Sequence, residues 1–100
     1  MENMTNAVRA AEKAFGVDGE IEVKRHMGDR VVEISPNGFG WIWSIEYSTA
    51  REAQKVANRL AKLSQEKLQG MWSHADQNIR FKSKQFQTDS RNLIQEYLTR

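Results

Sequence analysis

The run from Phe39 to Tyr47, Phe-Gly-Trp-Ile-Trp-Ser-Ile-Glu-Tyr, places a large apolar side chain at every odd position. Side chains of an extended chain point alternately to opposite faces. This stretch therefore loads one face of a strand with Phe39, Trp41, Trp43, Ile45 and Tyr47. Aromatic and β-branched residues suit a pleated, half-covered surface. Each such side chain left in water forgoes about 1.5–3 kcal/mol, against a net stability of about 5–15 kcal/mol for a whole domain. The fold has to cover this row, or present part of it to a partner.

The residues before it supply two more strands. Ile21 and Val23 alternate with Glu22, Lys24 and His26. A two-residue loop at Gly28-Asp29 pairs Met27 with Arg30, Lys24 with Glu33 and Val23 with Ile34. That register gathers Ile21, Val23, Val32 and Ile34 on one face and sets Lys24 across from Glu33 on the other. Ser35-Pro36-Asn37-Gly38 is the next turn. Two registers follow it. A two-residue loop sets Ile34 opposite Phe39 and Val32 opposite Trp41, and the aromatic row joins the same core. A three-residue loop with a glycine bulge sets Ser35 opposite Phe39, Glu33 opposite Trp41 and Val31 opposite Trp43, which turns the row to the second face. Burial of the row is the favoured outcome, because most aromatic rows at strand spacing are core.

Helices flank the strands. Met4, Ala7, Val8, Ala11 and Phe15 share one face of a helix over 4–15, which Gly16 ends. Thr49 and Glu52 form a capping-box pattern opening a helix over 49–69, with Ala53, Val56, Ala57, Leu60, Leu63 and Leu68 as its apolar stripe and Gly70 as its stop. Residues 71–87 favour helix through Trp72, Ala75, Ile79 and Phe86. A last helix over 89–99, capped by Asp89 or Ser90, buries Leu93, Ile94, Tyr97 and Leu98. The expected architecture is a single α+β domain over 1–100. It has an N-terminal helix, a three-stranded antiparallel meander, and two or three C-terminal helices packed on the sheet.

Charge is unevenly distributed. The chain of 100 residues has a formal net charge of +2, yet residues 1–48 hold five cations against eight anions and residues 49–100 hold ten against five. Arg51, Lys55, Arg59 and Lys62 recur at steps of four, four and three, which puts them within one narrow arc of the helix. Arg80, Lys82 and Lys84 interleave with Phe81 and Phe86, the mixture that single-stranded nucleic-acid sites use. Such faces suit an anionic partner, either an acidic protein surface or nucleic acid. The candidate binding residues are thus Arg51, Lys55, Arg59, Lys62, Arg80, Lys82 and Lys84, with Trp41 and Trp43 if the aromatic row reaches the surface.

Catalytic patterns are weak. There is no cysteine, which excludes disulfides, thiolate metal sites and thiol catalysis. The two histidines, His26 and His74, fall on different elements with no metal-ligand spacing. Gly38-Phe39-Gly40 lacks the helix and Lys-Ser/Thr of a phosphate loop. Glu20, Glu22 and Asp29 read as solvated strand-edge charges. No apolar run approaches the length of a membrane span, and Met1 to Phe15 lacks the apolar core of a secretion signal. The expectation is a cytoplasmic, non-enzymatic protein without cofactor or metal.

The order helix, three-stranded meander, helix across residues 4–69 resembles the double-stranded-RNA-binding domain. Ser48, Ala53, Ala57 and Leu60 echo the start and apolar face of that family's second helix. The resemblance implies nucleic-acid binding through a basic helix. Thr49-Ala50-Arg51 stands where the family clusters lysines, and Met27-Gly28-Asp29 where it carries a Gly-Pro-x-His loop. The Tyr-Ser-Thr-x-x-Glu-Ala run at 47–53 is similar to that of small three-strand-plus-helix DNA binders. In size, lack of cysteine and charge asymmetry the chain is also similar to small accessory proteins of bacteriophages and mobile elements. That likeness implies binding to a host nucleic-acid-handling machine, such as a nuclease or CRISPR effector, and its inhibition or modulation.

Overall fold

Strands β1 (Ile21–Lys24), β2 (Val31–Pro36) and β3 (Trp43–Glu46) form one antiparallel sheet in the order β1-β2-β3. The structure is a computed structural model that describes residues 20–37 and 40–100. The expected helix over 4–15, and Phe39, lie outside the described residues.

The first hairpin has the expected register, with Val23 opposite Ile34 and Lys24 opposite Glu33. Its reversal is centred one residue earlier than Gly28-Asp29. Asp29 N–H donates to His26 O at 2.9 Å, and Gly28 takes φ 78°, a left-handed conformation that suits glycine. The paired charges differ too. Lys24 meets Glu22 on its own strand at 3.2 Å, and Glu33 meets His26 at 3.3 Å.

The second reversal follows neither expected register. Ile34 faces Trp43 and Val32 faces Ile45, so the connection runs from residue 37 to 42. Pro36 is the reason. It ends β2 as a buried strand residue opposite Ile21, beyond the last β2–β3 pair, where its missing N–H is not needed. The chain then turns at Gly40, whose φ is 114° and where a Cβ would lie 3.1 Å from Pro36 Cγ. The shift from the two-residue-loop register is an even number of residues, so the facing is kept. Trp43, Ile45 and Tyr47 join Ile21, Val32 and Ile34 in one core.

The continuous helix expected over 49–69 is two helices, α1 (Ala50–Leu60) and α2 (Gln65–Asn78). Thr49 Oγ1 caps α1 by accepting from Glu52 N at 3.1 Å. Lys62 and Leu63 N–H then bond three residues back, and Ser64 Oγ accepts from Lys67 N at 3.2 Å to start α2. Gly70 lies inside α2 rather than ending it. The helix favoured over 71–87 stops at Asn78, and residues 79–85 connect it to α3 (Phe86–Leu98). The last helix therefore begins before Asp89 and Ser90, neither of which caps it.

The three described helices lie against one face of the sheet: α1 on β1 and β2, α2 on β1, α3 on β3. A single core unites Ile34, Trp43 and Ile45 with Leu60, Met71, Trp72 and Ile94. This two-layer α+β arrangement leaves Glu22, Lys24, Glu33 and Glu46 on the opposite, polar face.

Candidate functional site

The basic ridge forms on α1. Arg51, Lys55 and Arg59 are exposed on that helix, and Lys62 is exposed in the turn that follows it. Arg59 is partly engaged, its Nη2 donating to Leu98 O at 3.3 Å at the end of α3. No ion pair joins Arg51, Lys55, Arg59 or Lys62 to a described carboxylate. Arg30, Arg80 and Arg100 each have one, with Glu46, Asp76 and Glu96.

A shallow depression of about 490 Å³ opens beside the ridge, lined by Arg25, Ala50, Arg51, Gln54, Lys55 and Asn58. Its hydrogen bonds run in one direction. Arg25 Nε donates to Gln54 Oε1 at 2.8 Å, and Gln54 Nε2 donates to Asn58 Oδ1 at 2.7 Å. Arg25 Nη1 also donates to Asp29 O at 2.6 Å, which fixes the guanidinium plane. Both amide oxygens in the depression accept from within. Unused N–H groups of Arg25, Gln54 and Asn58 remain, with the exposed cations Arg51 and Lys55 beside them. No described carboxylate lines it. Glu52, on the same helix, lines a different hollow with Tyr47 and Arg91. A donor-rich cationic surface is complementary to oxyanions such as carboxylates and phosphates.

Sequence reasoning missed Arg25, Gln54 and Asn58. Gln54 and Asn58 sit four residues apart on the helix face of the ridge, a spacing visible in the chain. Arg25 reaches them from 29 residues away. No local pattern shows that contact.

The second group of candidates is on the α2–α3 connection. Lys82 and Lys84 are exposed there. The Arg80 guanidinium lies 5.2 Å from the Trp41 ring centroid and 4.6 Å from that of Phe81. Trp41 is half-buried, packed against Trp43, Trp72 and Phe86 at centroid distances of 6.2, 6.3 and 6.0 Å. Trp43 is fully buried, and its Nε1 donates to Ser90 Oγ at 2.9 Å. It belongs to the core and offers no surface to a partner.

The histidines stand apart: His26 pairs with Glu33, and His74 is exposed on α2. Among the described residues no group of three His, Cys, Asp or Glu side chains is placed to hold a metal ion. None of the described helices is long and apolar enough to cross a membrane. No family model, curated protein or solved structure matches the chain.

Proposed function

We propose that this chain is a non-enzymatic interaction protein of the phage or mobile-element accessory kind. It works in the cytoplasm, where it binds a host nucleic-acid-handling machine, such as a nuclease or a CRISPR effector, and inhibits or modulates it. The observation that carries this reading is the cationic, donor-rich depression of Arg25, Arg51, Gln54, Lys55 and Asn58, continuous along α1 with Arg59. Enzymes that cut nucleic acids gather carboxylates to hold divalent ions. An acidic cleft of that kind is complementary to a cationic face with no described carboxylate.

A second reading, direct nucleic-acid binding, is favoured by the exposed cations at steps of four along α1. Here Arg51, Lys55, Arg59 and Lys62 contact phosphates. Binding to arbitrary duplex then falls steeply with salt.

Capture from bacterial lysate, with and without nuclease digestion, separates the two. The first reading expects a protein that survives digestion, whose nucleic-acid-cleaving activity drops on adding the purified chain, and which is not captured by Arg51→Gln/Lys55→Gln. Recovery of nucleic acid alone supports the second. A captured activity indifferent to the double substitution sinks the first.

A further inference from the structure

The connection between α2 and α3 carries an exposed ring mounted on a cation. Phe81 is 83% exposed, and its only described ring contact is the Arg80 guanidinium, 4.6 Å from its centroid. That guanidinium also packs on Trp41, which Trp43, Trp72 and Phe86 hold in turn. Two further bonds fix the base of this cluster. Trp72 Nε1 donates to Trp41 O at 3.1 Å, and Arg80 Nη1 pairs with Asp76 Oδ1 at 3.1 Å. The connection itself is tied down. Ser83 N–H donates to Ile79 O at 3.1 Å, and Ser83 Oγ accepts from Gln85 N at 3.1 Å while donating to Asp89 Oδ2 at 2.5 Å.

A single exposed phenylalanine is ordinary on a protein surface. This one differs because it ends a cluster of packed rings and a guanidinium, on a backbone held by its own hydrogen bonds. The backbone ordering that a stacking contact needs is therefore in place before a ligand arrives. Asp76 occupies the charge of Arg80, and Asp89 is engaged by Ser83. Lys82 and Lys84, on either side of Ser83, pair with no described carboxylate. The occupant that fits is planar, able to stack on the outer face of Phe81, and anionic within reach of two lysines.

We propose that Phe81, seated on Arg80 and followed in the chain by the exposed Lys82 and Lys84, is a stacking platform for an unpaired base of single-stranded nucleic acid. Phe81 takes the base, and the lysines take adjacent phosphates. Duplex bases are already stacked on both faces and cannot use it. This surface stands on a different element from the α1 depression and does not rest on the function proposed above.

The test is fluorescence anisotropy with labelled oligothymidylate of about twenty nucleotides, at about 20 and about 200 mM salt. Phe81→Ala lies outside the core and should weaken binding roughly tenfold, whereas Phe81→Trp should stay within about threefold of the parent. Lys82→Gln/Lys84→Gln should lower the slope of log affinity against log salt by about 1.4. Arg51→Gln/Lys55→Gln should leave the Phe81 dependence in place, even if the partner of α1 is lost. The proposal is overturned if Phe81→Ala binds as the parent does, or if oligothymidylate does not bind at the lower salt. In the latter case, capture of a protein that Phe81→Ala loses would assign the ring to a protein interface instead.

Discussion

The carboxamide of Gln65 closes on both backbone groups of Ile21: Ile21 N–H donates to Oε1 at 2.7 Å, and Nε2 donates to Ile21 O at 3.0 Å. Ile21 is on the edge strand β1, so this side chain occupies the position a fourth strand would take. The other edge is treated alike. Gln87 accepts from Glu46 N at 2.7 Å and donates to Ser44 O at 3.3 Å, while Arg91 Nη1 donates to Glu46 O at 2.8 Å. A three-stranded sheet has two edges prone to pairing with other chains, and here side chains from α2 and α3 cover part of each. Gln65→Ala should cost about 1–3 kcal/mol, since it strands two polar groups of a residue that is only 3% exposed. Urea denaturation reads the loss, and light scattering should show more self-association.

Gln65→Glu sharpens this. A carboxylate still accepts from Ile21 N–H but faces Ile21 O with no donor, so the protonated acid is favoured in the folded state and its folded pKa rises above the unfolded value of about 4.3. That group's contribution is then fully present below about pH 4 and is lost as pH rises through the folded pKa. The variant should approach the parent in acid and fall behind at neutral pH. Equal deficits at both would show that the carbonyl contact carries no weight.

Trp43 and Ser90 form a buried polar pair, both fully covered, with the indole donating at 2.9 Å. Ser90→Ala leaves that N–H without an acceptor and should destabilise by about 1–3 kcal/mol. Trp43→Phe removes the donor and also leaves a void. The double substitution should cost less than the two singles together by about 0.5–3 kcal/mol. Strict additivity would mean that the bond contributes nothing beyond packing.

The sheet was legible in the chain because its two hydrophobic patterns agree. Ile21 and Val23 share a face with Val32 and Ile34 in the observed register, and a slip of one residue would turn one strand's pair to the opposite face. The second hairpin was less legible because Pro-Asn-Gly reads as a turn wherever it occurs. Only the pairing of Pro36 with Ile21 shows that the proline still belongs to the strand. The break after Leu60 was hidden by Leu63 and Leu68, which prolong the apolar stripe across it, although Ser64 carried the local signal as a cap. Of the candidate surface, the α1 cations were legible from their spacing. The Arg25–Gln54–Asn58 relay was not, because tertiary contact alone brings β1's neighbour Arg25 to the helix.

Tyr47 gives a pH signature. Burial pushes its phenol up to about 12, opposed by nearby Arg91 and reinforced by Glu52. Unfolding releases it to its ordinary value of 10.0. Between these values the unfolded chain loses a proton that the folded chain keeps, so stability is present below pH 10 and falls as pH rises toward about 12. Tyr47→Phe should flatten the alkaline fall measured by denaturant midpoint. Matching slopes in the two proteins would show that the phenol titrates no higher when folded than when unfolded.

Gln54→Glu tests the depression with little change of shape. Gln54 Oε1 already accepts from Arg25 Nε, so a carboxylate there keeps that bond and strengthens it. The donor to Asn58 is lost, but both residues are exposed, so stability should stay within about 0.5 kcal/mol. Recognition should change far more. The new charge neutralises Arg25 and repels an incoming oxyanion beside Arg51 and Lys55, so affinity for an acidic or phosphate-bearing partner should fall by roughly tenfold or more. Gln54→Ala removes the relay without adding charge and should fall between the parent and Gln54→Glu. An anionic partner that binds Gln54→Glu as tightly as the parent would dock elsewhere on the protein.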